Sequence, residues 1–285
     1  MGKPIHKLLY RLLPLEGYLR AVSRMFFLCQ RLGLGRRNPA TEYVYHLDAL
    51  VSPGDTVIDI GANLGYYTRT LARLTGPAGK VYAVEPVEPI RRVLRRNVRG
   101  CRNVELLPYA LGDSSREVSM ANDTAREQGY FGTGQNFVNE RGEAASDEFP
   151  AQMRRGSELF APLTRLDFIK CDIEGYELVV MREMRPLLER FRPRVLIETG
   201  GENRPQIVAL FTGLGYEGFT LDRGREVPLT EGSAKDIILR PRTARNGVAT
   251  ALPPGGPGDA PCEGAPPQVR PAGSLPEMPQ KGRKV

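Results

Sequence analysis

Tryptophan is absent from this 285-residue chain, histidine occurs only as His6 and His46, and cysteine only as Cys29, Cys101, Cys171 and Cys262. The cysteines are widely separated and form neither a C-x-x-C pair nor a Cys/His cluster, which argues against a zinc site and against a disulfide framework. A reducing, cytoplasmic setting fits that usage. Long apolar runs are missing too: nothing reaches the ~18 consecutive apolar residues that a membrane-spanning helix needs. Arg11, Glu16, Arg20 and Arg24 interrupt the apolar stretches near the N-terminus, so it reads poorly as a signal peptide. Met1-Gly2 is set aside as a myristoylation start, because His6 stands where Ser or Thr is required.

A strong charge of either sign is missing from the centre of the chain. The formal net charge is +7, but residues 1–37 hold eight Lys/Arg against Glu16, and the chain from Pro241 holds six against three acids. Residues 38–240 are left with 26 basic and 29 acidic residues. The centre therefore offers no footprint for a phosphate backbone, and nucleic acid is not an expected partner.

What is present divides the chain into three parts. Residues 1–41 interleave Leu8, Leu12, Leu19, Val22, Phe26 and Leu28 with Lys and Arg, which predicts one or two basic amphipathic helices broken near Pro14 and Gly17. Two readings stay open for residues 5–34: a cap packed on the domain, and a peripheral contact with a membrane or a lipid substrate. Residues 42–240 alternate strand and helix patterns, which predicts an α/β fold with a doubly wound, mainly parallel sheet. Strands are expected at 55–60, 81–84, 104–107, 166–171 and 194–197. A helix should start at Leu64, another after the strand at 166–171 should keep Leu178, Met181, Met184, Leu188 and Phe191 inward, and a final antiparallel pair near 218–221 and 236–239 should lie at the sheet edge. An arginine stripe on the helix through Ile90, Val93, Leu94 and Val98 reads as a solvated face. Within this domain, residues 114–163 read as a long irregular, substrate-side insertion, with 117–120 as one short strand. From Pro241 to Val285, Pro and Gly dominate without apolar periodicity, which predicts a disordered tail.

In an open α/β sheet, ligands bind beyond the carboxyl ends of the strands. Four of those ends carry an acid: Asp59, Glu85, Asp172 and Glu198. The first leads into Gly61-Ala62-Asn63-Leu64-Gly65, a Gly-x-x-x-Gly turn where a dinucleotide site would read G-x-G-x-x-G. A pyrophosphate would meet Asp59 as a like charge at the helix N-terminus, whereas S-adenosylmethionine presents an ammonium and a sulfonium there. Gly61 and Gly65 let the backbone approach the methionine part, Asn63 can hydrogen-bond it, and Glu85 can grip ribose hydroxyls. Tyr109-Ala110-Leu111 would line an adenine slot. Singly, each position has a plain structural reading: Gly65 as a helix-packing glycine, Glu85-Pro86 as a helix start, Glu174 or Glu177 as a partner of the next helix dipole.

The run Asp59-Ile60-Gly61-Ala62-Asn63-Leu64-Gly65-Tyr66-Tyr67-Thr68, then Val84-Glu85-Pro86, Ala110-Leu111-Gly112-Asp113, and Lys170-Cys171-Asp172-Ile173-Glu174-Gly175-Tyr176-Glu177 resembles the FkbM family of S-adenosylmethionine-dependent methyltransferases over residues 42–240. The resemblance implies a class I, Rossmann-like fold with a seven-stranded sheet whose last strand is antiparallel. It also implies S-adenosyl-L-methionine as cofactor, held by Asp59, Gly61, Asn63, Gly65, Tyr67, Glu85, Pro86, Ala110, Leu111 and Asp172. O-methylation of a sugar, glycolipid or natural-product hydroxyl is the implied activity.

Such a transfer needs an aligned acceptor oxygen and a group that takes its proton. Asp172, Glu174 and Glu198 are the catalytic candidates, with Lys170 structural and His46 a packing residue unless its segment folds over the cofactor. A hard divalent cation on the same three carboxylates is weighed, but without a histidine ligand no metal is assigned. A nicotinamide-dependent oxidoreductase and a non-catalytic cofactor-binding protein are the competing functions.

Overall fold

The computed structural model describes residues 2–200 and 203–242. These begin with helices α1 (Lys3–Leu12), α2 (Leu15–Arg31) and α3 (Glu42–His46) and continue through β1 (Thr56–Ile60), α4 (Thr68–Thr75), β2 (Lys80–Val84), α5 (Glu88–Val98) and β3 (Val104–Leu107). Next come β4 (Tyr109–Gly112), β5 (Arg116–Asn122), α6 (Thr124–Gln128), β6 (Phe137–Val138), β7 (Asp147–Arg155) and α7 (Gly156–Leu159). The chain then runs through β8 (Phe168–Cys171), α8 (Glu177–Glu183), α9 (Arg185–Phe191), β9 (Arg194–Glu198), α10 (Asn203–Gly213), β10 (Tyr216–Asp222), β11 (Arg225–Pro228) and β12 (Asp236–Pro241). The Pro/Gly-rich tail expected from Pro241 falls, from Thr243 onward, outside the described residues.

The main sheet has the order β11-β10-β12-β9-β8-β1-β2-β3. From β9 to β3 every pairing is parallel. Successive residues of β1 serve opposite faces. Ile58 and Ile60 join Ile169, Val195 and Ile197 in one core layer, while Val57 joins Val81, Phe168 and Leu196 in the other. β12 is antiparallel to both β9 and β10. Its Ile237, Ile238 and Leu239 are buried, so it needs cover on all sides and lies inside the sheet. The edge position belongs instead to an eighth strand, β11, paired with β10 through the tight turn at Arg223-Gly224, both with positive φ.

Three further details differ from the sequence reading. The helix after β1 starts at Thr68 rather than Leu64, because Asn63 and Gly65 take positive φ values of 50° and 89°, which no α-helix accepts. The helix expected from Leu178 to Phe191 is two helices, α8 and α9, separated at Met184 just before Pro186. The segment 114–163 is not irregular: with β4 it makes a second sheet of order β4-β7-β5-β6. Val118 and Met120 of β5 pair with Ala151 and Phe149 of β7, placing apolar side chains on one face at period two. Glu148, Pro150 and Gln152 alternate with that apolar series, but the proline interrupts the strand signal and the paired strands are some thirty residues apart, so the sheet could not be read locally.

Helix α2 packs Tyr18, Leu19 and Val22 with Val87, Ile90 and Val93 around α5 and with Phe131. Tyr18 donates its hydroxyl to the Phe131 carbonyl at 2.9 Å, and Gln30 bonds Thr70. The cap reading thus describes one face of α2. No residue of α1 is buried.

Candidate functional site

The turn after β1 is built on backbone geometry. Gly61 and Ala62 both donate their N–H groups to the Val84 carbonyl, and Gly61 has φ 76°. A Cβ at Gly61 would lie 2.0 Å from the Asp172 carbonyl oxygen, so only glycine lets the ends of β1 and β8 meet. Gly61→Ala is expected to destabilise the protein by at least ~2 kcal/mol and to weaken cofactor binding; an unchanged melting temperature and affinity would show that the contact is not needed. Gly65 has the packing role instead: a Cβ there would meet Leu94 of α5 at 2.9 Å, and Gly65 does not line the cleft.

Above this turn lies a cleft of about 580 Å³, walled by Gly61, Asn63, Tyr67, Glu85, Pro86, Lys170, Asp172 and Glu174 and roofed by Met120, Thr133, Gly134 and Asn136 of the second-sheet region. An apolar extension of about 310 Å³ is lined by Tyr109, Ala110, Leu111, Val138 and Tyr176, and shares Gly61, Pro86, Met120 and Ile173 with the main cleft. The roof residues were not singled out from sequence, since nothing local marks Thr133 or Asn136.

Glu85 is buried, and its two oxygens accept the N–H groups of Asn63 and Val87, each at 2.9 Å. Burial pushes its carboxyl up to about 7, against the pull of those two hydrogen bonds. Arg91, expected on a solvated face, donates to the Glu85 and Pro86 carbonyls and so clamps the loop that carries Glu85.

Asp59 does not reach the cleft. It is fully buried, accepts a 2.6 Å hydrogen bond from Thr68, and leaves Oδ1 without a hydrogen bond, 4.0 Å from Lys170 Nζ. Its influence on the cleft passes through Lys170, which donates to the Gly61 carbonyl at 3.1 Å and lies 3.3 Å from Asp172 Oδ2 and 5.1 Å from the centre of the Tyr67 ring. Burial opposes the lysine charge, but Asp172 and Asp59 outweigh it and hold the ammonium above the usual lysine range. His46 is held away from this site by Glu226 at 2.7 Å.

The catalytic candidates do converge: one carboxylate oxygen from each of Asp172, Glu174 and Glu198 lies within 4.8 Å of the others. The loop that presents Glu174 is unusual, because Glu174 and Gly175 both have positive φ, 53° and 97°. Buried Glu177 holds this conformation by accepting the N–H groups of Ile173 and Gly175. The spacing Asp-x-Glu-Gly-x-Glu is thereby explained: the last glutamate folds the loop that aims the middle one. Burial, with Asp172 and Glu177 nearby, pushes Glu174 up to about 7. Burial, the Asp172 charge and a hydrogen bond to Asp172 that only the protonated form can donate push Glu198 up to about 8. Asp236, unnoticed in the sequence, is raised to about 6 by burial and Asp172; the antiparallel register places it directly beside Glu198.

Residues 59–217, more than half of the chain, match the family model described as Methyltransferase FkbM domain. The chain belongs to the FkbM methyltransferase family. Among curated relatives, Methyltransferase sdnD of Sordaria araneosa is 26% identical over 217 residues, covering 66% of the FkbM chain and 83% of the relative. AMB antimetabolite synthetase AmbE of Pseudomonas aeruginosa is 41% identical over 76 residues, which is 26% of this chain and 4% of that one. Protein-L-isoaspartate O-methyltransferase of Aeropyrum pernix is 36% identical over 64 residues, 22% of this chain and 25% of the relative. The solved structure of Methyltransferase FkbM from Methylobacillus flagellatus aligns with a TM-score of 0.45 at 14% identity, covering 70% of this chain and 50% of that one.

The cofactor of this FkbM protein is S-adenosylmethionine. The residues present fit it: the glycine turn leaves open backbone at Gly61, Glu85 and Asp172 bring carboxylates to the cleft, the chemistry that cationic and hydroxyl groups need, and the extension at Ala110-Leu111 is apolar, as a flat base requires.

Proposed function

We propose that the chain methylates a hydroxyl oxygen of a sugar, glycolipid or natural product, with Asn63, Glu85 and the Tyr109-Ala110-Leu111 strand serving the cofactor and Asp59 acting on the cleft only through Lys170. The observation that carries the reading is the trio Asp172, Glu174 and Glu198, with Glu174 and Glu198 raised to about 7 and about 8. When bound, S-adenosylmethionine supplies an electrophilic methyl group on a sulfonium. The protein's part is to align the acceptor oxygen and receive its proton, and a carboxylate whose affinity for protons has been brought near neutral pH is matched to that task. Glu198, once ionised, is the proton acceptor; Asp172 and Glu174 orient the hydroxyl. An oxygen acceptor also agrees with the Aeropyrum pernix relative, an O-methyltransferase, across its 64-residue match.

A divalent cation on the same trio is a second reading, because three carboxylate oxygens within 4.8 Å suit a hard metal. It would act by lowering the pKa of a bound hydroxyl. Residues and reaction are tested together by supplying labelled S-adenosylmethionine with hydroxylated acceptors and with their O-blocked analogues. Label in the free hydroxyl compounds alone is expected; transfer to nitrogen or carbon, or tight NAD binding without S-adenosylmethionine binding, would overturn the proposal. Loss of turnover in EDTA, restored by added metal, would move the proton-accepting role from Glu198 to the cation.

A further inference from the structure

Among the described residues, the exposed large hydrophobic side chains all lie between Ile5 and Leu34. They include two triples with identical spacing, i, i+3 and i+7: Ile5, Leu8 and Leu12 on α1, and Met25, Leu28 and Leu32 at the end of α2, each 42–67% exposed. That spacing puts each triple on one helix face. On α2 the buried face of Tyr18, Leu19 and Val22 is already used on the domain. The end of the helix therefore carries an apolar stripe that the core does not cover.

Leu28 also borders a groove between α2, α3 and α4 that is lined by Arg31, Arg36, Arg69 and Arg73, with Asp48 the single acid of its lining. Among the described residues none of these four arginines forms an ion pair with a carboxylate. Arg69 and Arg36 instead lie over the rings of Phe27 and Tyr45, at 4.1 and 5.4 Å from the ring centres. Rings behind and an open groove in front leave the guanidinium donors free for an anion, and planar guanidinium groups suit phosphate oxygens.

We propose that the end of α2 seats the protein on an anionic phospholipid bilayer, Met25, Leu28 and Leu32 entering the acyl boundary and the arginine groove beside Leu28 taking headgroup phosphates. A second copy of the chain is a poor occupant, because residues 1–37 carry eight basic residues against one acid and two such faces repel. A negatively charged surface complements both features at once. None of the described helices is long and apolar enough to cross a membrane, so the contact is interfacial.

Co-sedimentation of the full chain with vesicles tests this, comparing phosphatidylcholine alone with a 3:1 phosphatidylcholine and phosphatidylglycerol mixture; the ratio, roughly a quarter anionic lipid, gives the surface a negative potential. Binding to the anionic vesicles only, weakening as salt rises, is expected. Leu28→Asp with Leu32→Asp should lower the affinity by roughly tenfold or more. Arg31→Gln with Arg73→Gln should lower it about fivefold per arginine. Both pairs are surface changes, so melting temperature and S-adenosylmethionine affinity in free solution should match those of the parent. Absence of vesicle binding, equal binding to neutral vesicles, or binding unaffected by the arginine pair would overturn the proposal. So would calorimetric binding of inorganic phosphate without vesicle binding, or a dimer that Leu28→Asp dissolves.

Discussion

Lys170→Met is expected to be among the most damaging single changes in this protein, lowering stability by about 3–5 kcal/mol near neutral pH. Among the described residues the lysine is the one cation within 4.0 Å of both Asp59 and Asp172, and Asp59 is fully buried with one oxygen already lacking a hydrogen bond. Without the ammonium, Asp59 keeps only Thr68 as a partner. Burial already raises its carboxyl above the usual range, against the opposing pull of Lys170, and the variant would raise it further. A carboxyl whose folded pKa is raised binds its proton more tightly when folded, so its contribution to stability is lost as pH rises through the folded pKa. The variant should therefore recover part of its deficit on acidification. Chemical denaturation at two pH values measures this, and Asp59→Asn combined with Lys170→Met should be more stable than Lys170→Met alone. A double variant whose loss equals the sum of the single losses would mean that the two groups do not compensate each other.

Glu198→Gln is expected to lower turnover by about 10²–10⁴-fold, the range for removing a positioned general base. In the parent protein the rate should climb with pH through about 7 to 8, where Glu174 and Glu198 lose their protons. The sign follows from the chemistry: only the ionised carboxylate can accept a proton, and a raised pKa delays ionisation to higher pH. Because the neighbouring charges act on one another, the rise belongs to the cluster as a unit. Asp172→Asn removes the negative charge that raises Glu198 and places an amide donor where the ionised form can use it, so the alkaline rise should move to lower pH even as turnover falls. A Glu198→Gln enzyme with the parental rate and the parental pH profile would remove Glu198 from the reaction.

Much of this was readable from residue order alone because it rests on local signals. β-branched runs ending in acids marked the parallel strands, and the left-handed turn was implicit in Gly61 and Gly65. The Lys-x-Asp-x-Glu-Gly-x-Glu run marked the loop that carries Asp172 and Glu174. What escaped notice depends on contacts between distant parts of the chain. Asp236 joins the carboxylates only because β12 runs antiparallel to β9. Arg91 looked like one of several surface arginines until its carbonyl partners after β2 were seen. Glu177 could be placed at a helix start, but its capture of two backbone N–H groups could not be read from that position.

The sequence by itself determined the class of fold through its periodicity, and the family and the methyl donor through a resemblance carried by short motifs between Asp59 and Glu177. Only the tertiary structure decided where each acid sits and what it touches. Asp59 turned inward to Lys170, Glu85 became tied to backbone amides, and Asp172, Glu174 and Glu198 gathered into one corner. The physical reason is that a carboxylate's role depends on its burial and on the charges within a few ångströms, and those neighbours come from strands far apart in the chain.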